Sequence, residues 1–213
     1  MKFRDRTDAG CQLGARLRDL HLEDVVVLGL PRGGVIVAAE VAVALDAPLD
    51  IVVARKLGVP WQPELAFGAV APGVIVLQQD VLAAIGLEQG EIDEAVARET
   101  ARLGPLAERY RGGAPATPLR DRVVIVVDDG LATGATATAA ARSLRHAAPR
   151  SVIVAVPVAA AQTAAALRAE VDAVICVSEP RDFRAVGSYY DDFAPVRDEE
   201  VRLRLAAEHG GRV

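Results

Sequence analysis

Val123-Val124-Ile125-Val126-Val127-Asp128-Asp129-Gly130-Leu131-Ala132-Thr133-Gly134-Ala135-Thr136 is the stretch from which the fold is read. Five β-branched residues in a row, with no polar alternation, predict a strand buried on both faces of a parallel sheet. The run ends in two carboxylates, and a loop of small residues then opens onto the Ala-rich segment Ala135 to Arg145. Ligands of open α/β sheets bind at the carboxyl ends of strands. A strand end bearing Asp128 and Asp129, followed by loop amides and a helix N-terminus, suits a ligand with both a diol and a phosphate. The carboxylates accept hydrogen bonds from the hydroxyls, and the amides and helix dipole hold the anion.

Other readings explain less. A solvated Asp-Gly turn accounts for Asp129-Gly130 and leaves Ala132 to Thr136 without a reason. A receiver-type phosphoacceptor needs an acidic pair near its first strand and a lysine after its last, whereas no lysine follows Lys56. The spacing from Gly130 to Gly134, without a following lysine, excludes a P-loop.

Ala9 to Leu20 reads as an amphipathic helix and Val25 to Leu30 as a strand ending at Pro31-Arg32-Gly33-Gly34. A helix over Val35 to Leu45 and a strand over Leu49 to Ala54, ending at Arg55-Lys56, continue a βαβ alternation that predicts a parallel sheet. Leu57 to Pro72 reads as irregular, and Ala66 to Val70 pairs with Val74 to Gln78 as a hairpin. Glu91 to Arg111 reads as a helix broken at Gly104-Pro105, and Gly112 to Pro118 as a linker. Beyond the signature come a strand at Ser151 to Val156, a helix at Gln162 to Arg168 and a strand at Ala173 to Val177. An aromatic tail, Phe183 to Phe193, precedes a last helix at Asp198 to Glu208.

The 213 residues fit a single α/β domain over 1–213 with its own core. Residues 57–118 read as an inserted loop, hairpin and helix, and 178–213 as a C-terminal hood or tail. No apolar run reaches the ~18 residues a membrane span requires. The charged start, Met1-Lys2-Phe3-Arg4-Asp5-Arg6, has no apolar h-region, so the expectation is a cytoplasmic chain without a membrane partner. Cys11 and Cys176 form no metal or redox motif, which fits reduced structural cysteines. His21, His146 and His209 have no ligand spacing. A net charge of −5 argues against a nucleic-acid partner. Only Lys2 and Lys56 among 24 basic residues are lysine, which singles out Lys56.

The stretch from Val123 to Thr136 resembles the signature of type I phosphoribosyltransferases, which bind 5-phosphoribosyl-1-pyrophosphate (PRPP). The resemblance implies a Rossmann-like fold, with a central parallel sheet flanked by helices and a small hood. It implies that Asp128 and Asp129 hold the ribose hydroxyls and that Ala132, Thr133, Gly134, Ala135 and Thr136 cradle the 5′-phosphate. Pro31-Arg32-Gly33-Gly34 resembles the pyrophosphate loop, with Arg32, Gly33 and Gly34 as its ligand-binding residues and a non-proline cis peptide expected near Arg32-Gly33. Arg55-Lys56-Leu57-Gly58 resembles the basic turn of purine-type members. By that likeness Arg55 and Lys56 bind the leaving pyrophosphate and act catalytically, neutralising its growing charge.

Val59 to Gly68 resembles the mobile loop of adenine-type enzymes, where Glu64 would handle a proton; a plain solvated carboxylate is the competing reading. Ala132 stands where hypoxanthine-guanine-type members carry an aspartate, so a base from this loop is absent. Arg184 to Asp191 loosely resembles a base-recognition strand, making Phe183, Tyr189 and Tyr190 stacking candidates, with core packing as the alternative. Magnesium is the expected cofactor, held by Asp128 and Asp129, with Asp191 ordering a bound water. The function so implied is transfer of the phosphoribosyl group to an acceptor nitrogen, a nucleobase with purine ahead. Non-catalytic binding of PRPP or a nucleotide by a regulatory protein is the alternative. A homodimer is left open.

Overall fold

A computed structural model describes residues 2–59 and 61–210, without the side chains of residues 63, 64 and 208–210. In chain order the first half contains α1 (Arg6–Arg18), β1 (Val25–Gly29), α2 (Gly33–Leu45), β2 (Leu49–Ile51), β3 (Arg55–Val59), β4 (Gln62–Ala71) and β5 (Val74–Leu77). Then come α3 (Gln79–Ile85), α4 (Gln89–Thr100), α5 (Leu103–Arg111), β6 (Val123–Val127) and α6 (Ala135–Leu144). The chain continues through β7 (Ser151–Val158), α7 (Ala161–Leu167), β8 (Ala173–Ser178) and α8 (Asp198–Gly210).

The strand from Val123 to Val127 sits at the centre of a five-stranded parallel sheet of order β2-β1-β6-β7-β8. Every residue of β6 is buried, as an uninterrupted β-branched run requires. Its side chains alternate between two cores. Val123, Ile125 and Val127 join Leu13, Leu17, Val35 and Val201 on the side of α1, α2 and α8. Val124 and Val126 join Ala139, Ala140 and Leu144 on the side of α6. Full burial of one such aliphatic side chain is worth roughly 1.5–3 kcal/mol, so the centre of the sheet is the rigid base on which the loops stand. Among the described residues no helix is long and apolar enough to cross a membrane.

Three elements differ from their expected form. The stretch read as irregular is a second, antiparallel sheet of order β3-β4-β5. Its period of two is hidden by register shifts around Gly58, where the pairing with β4 is uneven. Arg55 and Lys56, expected in a turn after a strand reaching Ala54, are instead the first residues of β3, because β2 ends at Ile51. The helix read as broken at Gly104-Pro105 breaks earlier, between Thr100 and Leu103. Pro105 falls in the first turn of α5, where a helix leaves its N–H groups unpaired and a proline costs little. The expected hairpin is present, with Ala71 opposite Val74.

The segment before α1 meets the segment between β8 and α8. Phe3 and Tyr190 form a parallel bridge, with Phe3 N donating to Tyr189 O at 2.8 Å and Asp191 N donating to Phe3 O at 2.8 Å. Phe3, Tyr190 and Phe193 pack there as a small aromatic cluster, with ring centroids 5.4 and 4.9 Å apart.

Candidate active site

Asp128 and Asp129 leave the carboxyl end of β6 and enter a cleft of about 700 Å³. Asp128 Oδ1 accepts the N–H of Asp129 at 2.9 Å. Burial pushes the Asp128 carboxyl well above the usual carboxylate range, and the neighbouring Asp129 charge adds to it. Burial also raises Asp129, opposed by the guanidinium of Arg6, whose Nε donates to Asp129 Oδ2 at 2.8 Å. Two half-buried adjacent carboxylates are an arrangement that a hard cation or a pair of hydroxyl donors would relieve. Among the described residues no cluster of three His, Cys, Asp or Glu holds a metal by protein ligands alone.

The loop after β1 lies directly against this pair. A Cβ on Gly33 would overlap Oδ2 of Asp129, and one on Gly34 would come within 2.8 Å of Asp128 Cα. The glycines therefore let one loop's backbone close onto the other's carboxylates. The cis peptide expected near Arg32-Gly33 is the preceding bond, Pro31-Arg32.

On the other side, Gly134 caps α6 with φ of +73°, a conformation glycine adopts without strain. The loop before it is anchored at both flanks. Leu131 N donates to Val158 O at 2.9 Å, and Thr163 Oγ1 donates to Ala132 O at 2.5 Å. The first-turn amides of α6 have no acceptor within the helix. With Thr133 and Thr136 on the cleft wall, they present a set of donors that an anion could accept.

The rim is cationic and tied down. Arg55 Nε lies 2.5 Å from Oε2 of the buried Glu99 on α4, which Arg102 also contacts at 3.0 Å. Burial opposes ionisation of Glu99, yet Arg55, Arg102 and Arg98 together hold it below its ordinary range. Lys56 lines the cleft, close enough to favour the charged form of both aspartates. Asp198, at the start of α8, accepts from the Tyr110 hydroxyl at 2.8 Å and from Arg109 at 3.2 Å, and lies 3.8 Å from Arg32.

Of the residues singled out from sequence, Arg32, Gly33, Arg55, Lys56, Asp128, Asp129, Ala132, Thr133, Gly134 and Thr136 share the cleft wall. Gly34 and Ala135 are buried just behind it. The tail residues are placed elsewhere. Phe183 and Tyr189 stack on each other, centroids 5.5 Å apart, away from the cleft wall. Tyr190 is 3% exposed, and its hydroxyl donates to Asp129 O at 2.6 Å. That makes it a support for the acidic loop instead of a stacking face. Asp191 pairs with Lys2 at the surface, 2.7 Å away, and does not line the cleft. The side chain of Glu64 lies outside the described residues. Sequence reasoning missed Arg6, Arg109, Tyr110, Phe193 and Asp198, all on the cleft wall. None sits in a motif, and only the folded chain brings them to the strand ends.

The model of the phosphoribosyl transferase domain family matches residues 13–193. A protein of Mycobacterium tuberculosis, provisionally named a phosphoribosyl transferase, is 47% identical over 208 residues, or 97% of this chain. The chain spans about half the length of this curated relative, 47% of it. The crystal structure of TT1426 from Thermus thermophilus is 46% identical with a TM-score of 0.80, covering 97% of this chain and 99% of that one. The AQ2163 protein from Aquifex aeolicus shares the fold at 13% identity and a TM-score of 0.50, covering 80% of this chain and 71% of that one.

Proposed function

The chain belongs to the phosphoribosyl transferase domain family, and we propose that it moves the 5-phosphoribosyl group of PRPP to an acceptor nitrogen, releasing pyrophosphate. The acceptor in this proposal is a nucleobase, purine before pyrimidine. The observation that carries it is the convergence of three parts on one cleft: the Asp128–Asp129 pair, the Arg32-Gly33-Gly34 loop touching that pair, and the N-terminus of α6.

Asp128 and Asp129 accept hydrogen bonds from the ribose hydroxyls, and the Thr133 to Thr136 loop holds the 5′-phosphate through amides and hydroxyls. Arg32 and the amides of Gly33 and Gly34 take the pyrophosphate, with Lys56 above it and Arg55 oriented by Glu99. The bond from C1′ to the pyrophosphate oxygen breaks with its electron pair leaving on pyrophosphate. The acceptor nitrogen supplies the pair for the new C1′–N bond and releases its proton. The passing charge at C1′ is that of an oxocarbenium ion, and fixed cations at the leaving group lower its energy without reorganising. Glu64 is kept as the residue that handles the proton.

The acidic pair fits magnesium shared with substrate oxygens, since its donors are hard and the described residues offer no closed protein site. When bound, magnesium supplies charge neutralisation at the pyrophosphate.

The test is pyrophosphate release from PRPP and magnesium over a panel of nucleobases, with D128N/D129N as control. Turnover on one base, lost in the double variant, supports the reading. Saturable PRPP binding without turnover on any base would instead make the protein a PRPP-binding regulator.

A further inference from the structure

Arg6 and Asp198 both lie outside residues 13–193, the range that the family model matches. Each nevertheless reaches the cleft with a charge. Asp198 sits beside Arg32 at the rim, whereas Arg6 is far more deeply set, its side chain only 11% exposed.

Arg6 is the first residue of α1, and three contacts fix its guanidinium. Nε donates to Asp129 Oδ2 at 2.8 Å, one terminal nitrogen donates to Ala194 O at 2.8 Å, and the group lies 3.8 Å over the Phe193 ring. The latter two partners belong to the C-terminal tail, whose Tyr190 hydroxyl also holds the carbonyl of Asp129. The glycine loop closes the fourth side, because a Cβ on Gly33 would lie 2.7 Å from Arg6 Nε. Asp129 is thus held at its carboxylate by the first residue of α1 and at its carbonyl by Tyr190, in the segment between β8 and α8.

A free aspartate at a strand end has several χ rotamers, and a hydrogen-bonding network that selects one also fixes where the other oxygen points. An Arg fork is suited to this, since one nitrogen takes the carboxylate while others anchor elsewhere. We infer that Arg6 is a positioning residue for the phosphoribosyl donor: it fixes Asp129 so that its free oxygen meets the ribose hydroxyls of PRPP. This rests on the phosphoribosyl-transfer reading of the cleft. Arg6 acts on the donor and not on the acceptor, so its loss should separate the two substrates kinetically.

The experiment compares wild type, R6A, R6K and R6Q, with R150A as a control whose exposed pair with Asp24 is remote from the cleft. Magnesium–PRPP affinity is measured by calorimetry, steady-state constants are measured for both substrates, and folding is checked by circular dichroism. The expected result is roughly tenfold or greater weakening of PRPP binding in R6A, matched in the PRPP KM, with the acceptor KM unchanged. R6K should fall between wild type and R6A, and added guanidinium should restore part of the R6A loss. If R6A does not fold, R6Q and R6K carry the same comparison, since both keep a side-chain donor on a long stem. Folded variants that bind and turn over PRPP as wild type does would overturn the inference. So would a loss shared equally by both substrates. Wild type failing to bind PRPP would overturn the transfer reading itself, and that outcome is visible in the wild-type arm alone.

Discussion

Gly33 and Asp129 compete for one volume: a Cβ on the glycine would overlap Oδ2 of the aspartate. The pyrophosphate loop and the ribose-binding carboxylate of the proposed site are therefore one packed unit. Gly33→Ala should displace the Asp129 carboxylate, its Arg6 partner or the loop. In the pyrophosphate-release assay the expected loss is at least about 100-fold in kcat/KM, equivalent to roughly 2.7 kcal/mol of transition-state stabilisation. Activity within a few-fold of wild type would mean that the loop has room to move away.

Tyr110 and Asp198 join α5 to α8 at the cleft rim and give a pH-dependent contact. Burial, then the hydrogen bond and charge of Asp198, push the Tyr110 phenol from 10.0 up to about 12. A proton held more tightly in the folded state adds stability that is whole below the unfolded value and fades as pH rises from about 10 to 12. Tyr110→Phe should cost about 1–2 kcal/mol near neutral pH, the range for a hydrogen bond to a charged acceptor discounted for partial exposure. The gap between the two melting curves should narrow above pH 10. A gap that stays constant through that range would exclude the linkage.

Asp50 is 2% exposed and has three donors: Arg111 Nε at 2.8 Å, Thr117 N at 2.8 Å and its own neighbour Ile51 N at 2.7 Å. It ties the linker after α5 to the edge strand β2. Asp50→Ala leaves Arg111 without its counter-charge and should destabilise by about 3 kcal/mol, as breaking a buried pair does. Urea unfolding measures it. A loss below about 1 kcal/mol would show that water replaces the carboxylate.

The parts of this molecule that were legible in sequence were the local ones. Val123 to Val127 announces a buried central strand because no other element needs five consecutive β-branched residues. The two small-residue loops announce themselves because glycine is required where backbone meets backbone or turns left-handed, as at Gly34 and Gly134. The β3–β4 pair was hidden by its irregular register around Gly58. The aromatic tail left two readings open, base stacking and core packing. Only the pairing of Phe3 with Tyr190 and the hydrogen bond from Tyr190 to the aspartate loop make that residue a buried support. Arg6 and Asp198 carry no local signal, since their partners lie 123 residues away in one case and 88 in the other.

The acidic pair should be a stability liability when the cleft is empty. Burial first, then the Asp129 charge, raise the Asp128 carboxyl far above 3.8. A raised carboxyl contributes fully only below its unfolded value, and that contribution is lost as pH rises through the folded one. Asp128→Asn keeps an oxygen to accept the Asp129 N–H and has no charge to desolvate. In metal-free buffer at pH 7 it should melt higher than wild type, by roughly 2–4 °C for each kcal/mol recovered. The advantage should disappear toward pH 4. An equal or lower melting point at pH 7 would show that the pair is relieved within the protein itself.

Titration of PRPP with magnesium into the wild-type chain and into D128N/D129N, followed calorimetrically, decides whether this cleft binds the phosphoribosyl donor. Saturable binding at one site per chain is expected in the wild type, weakened at least 100-fold in the double variant, roughly 2.7 kcal/mol. Wild-type protein that takes up no PRPP, or a double variant that binds it undiminished, would contradict the assignment of this cleft.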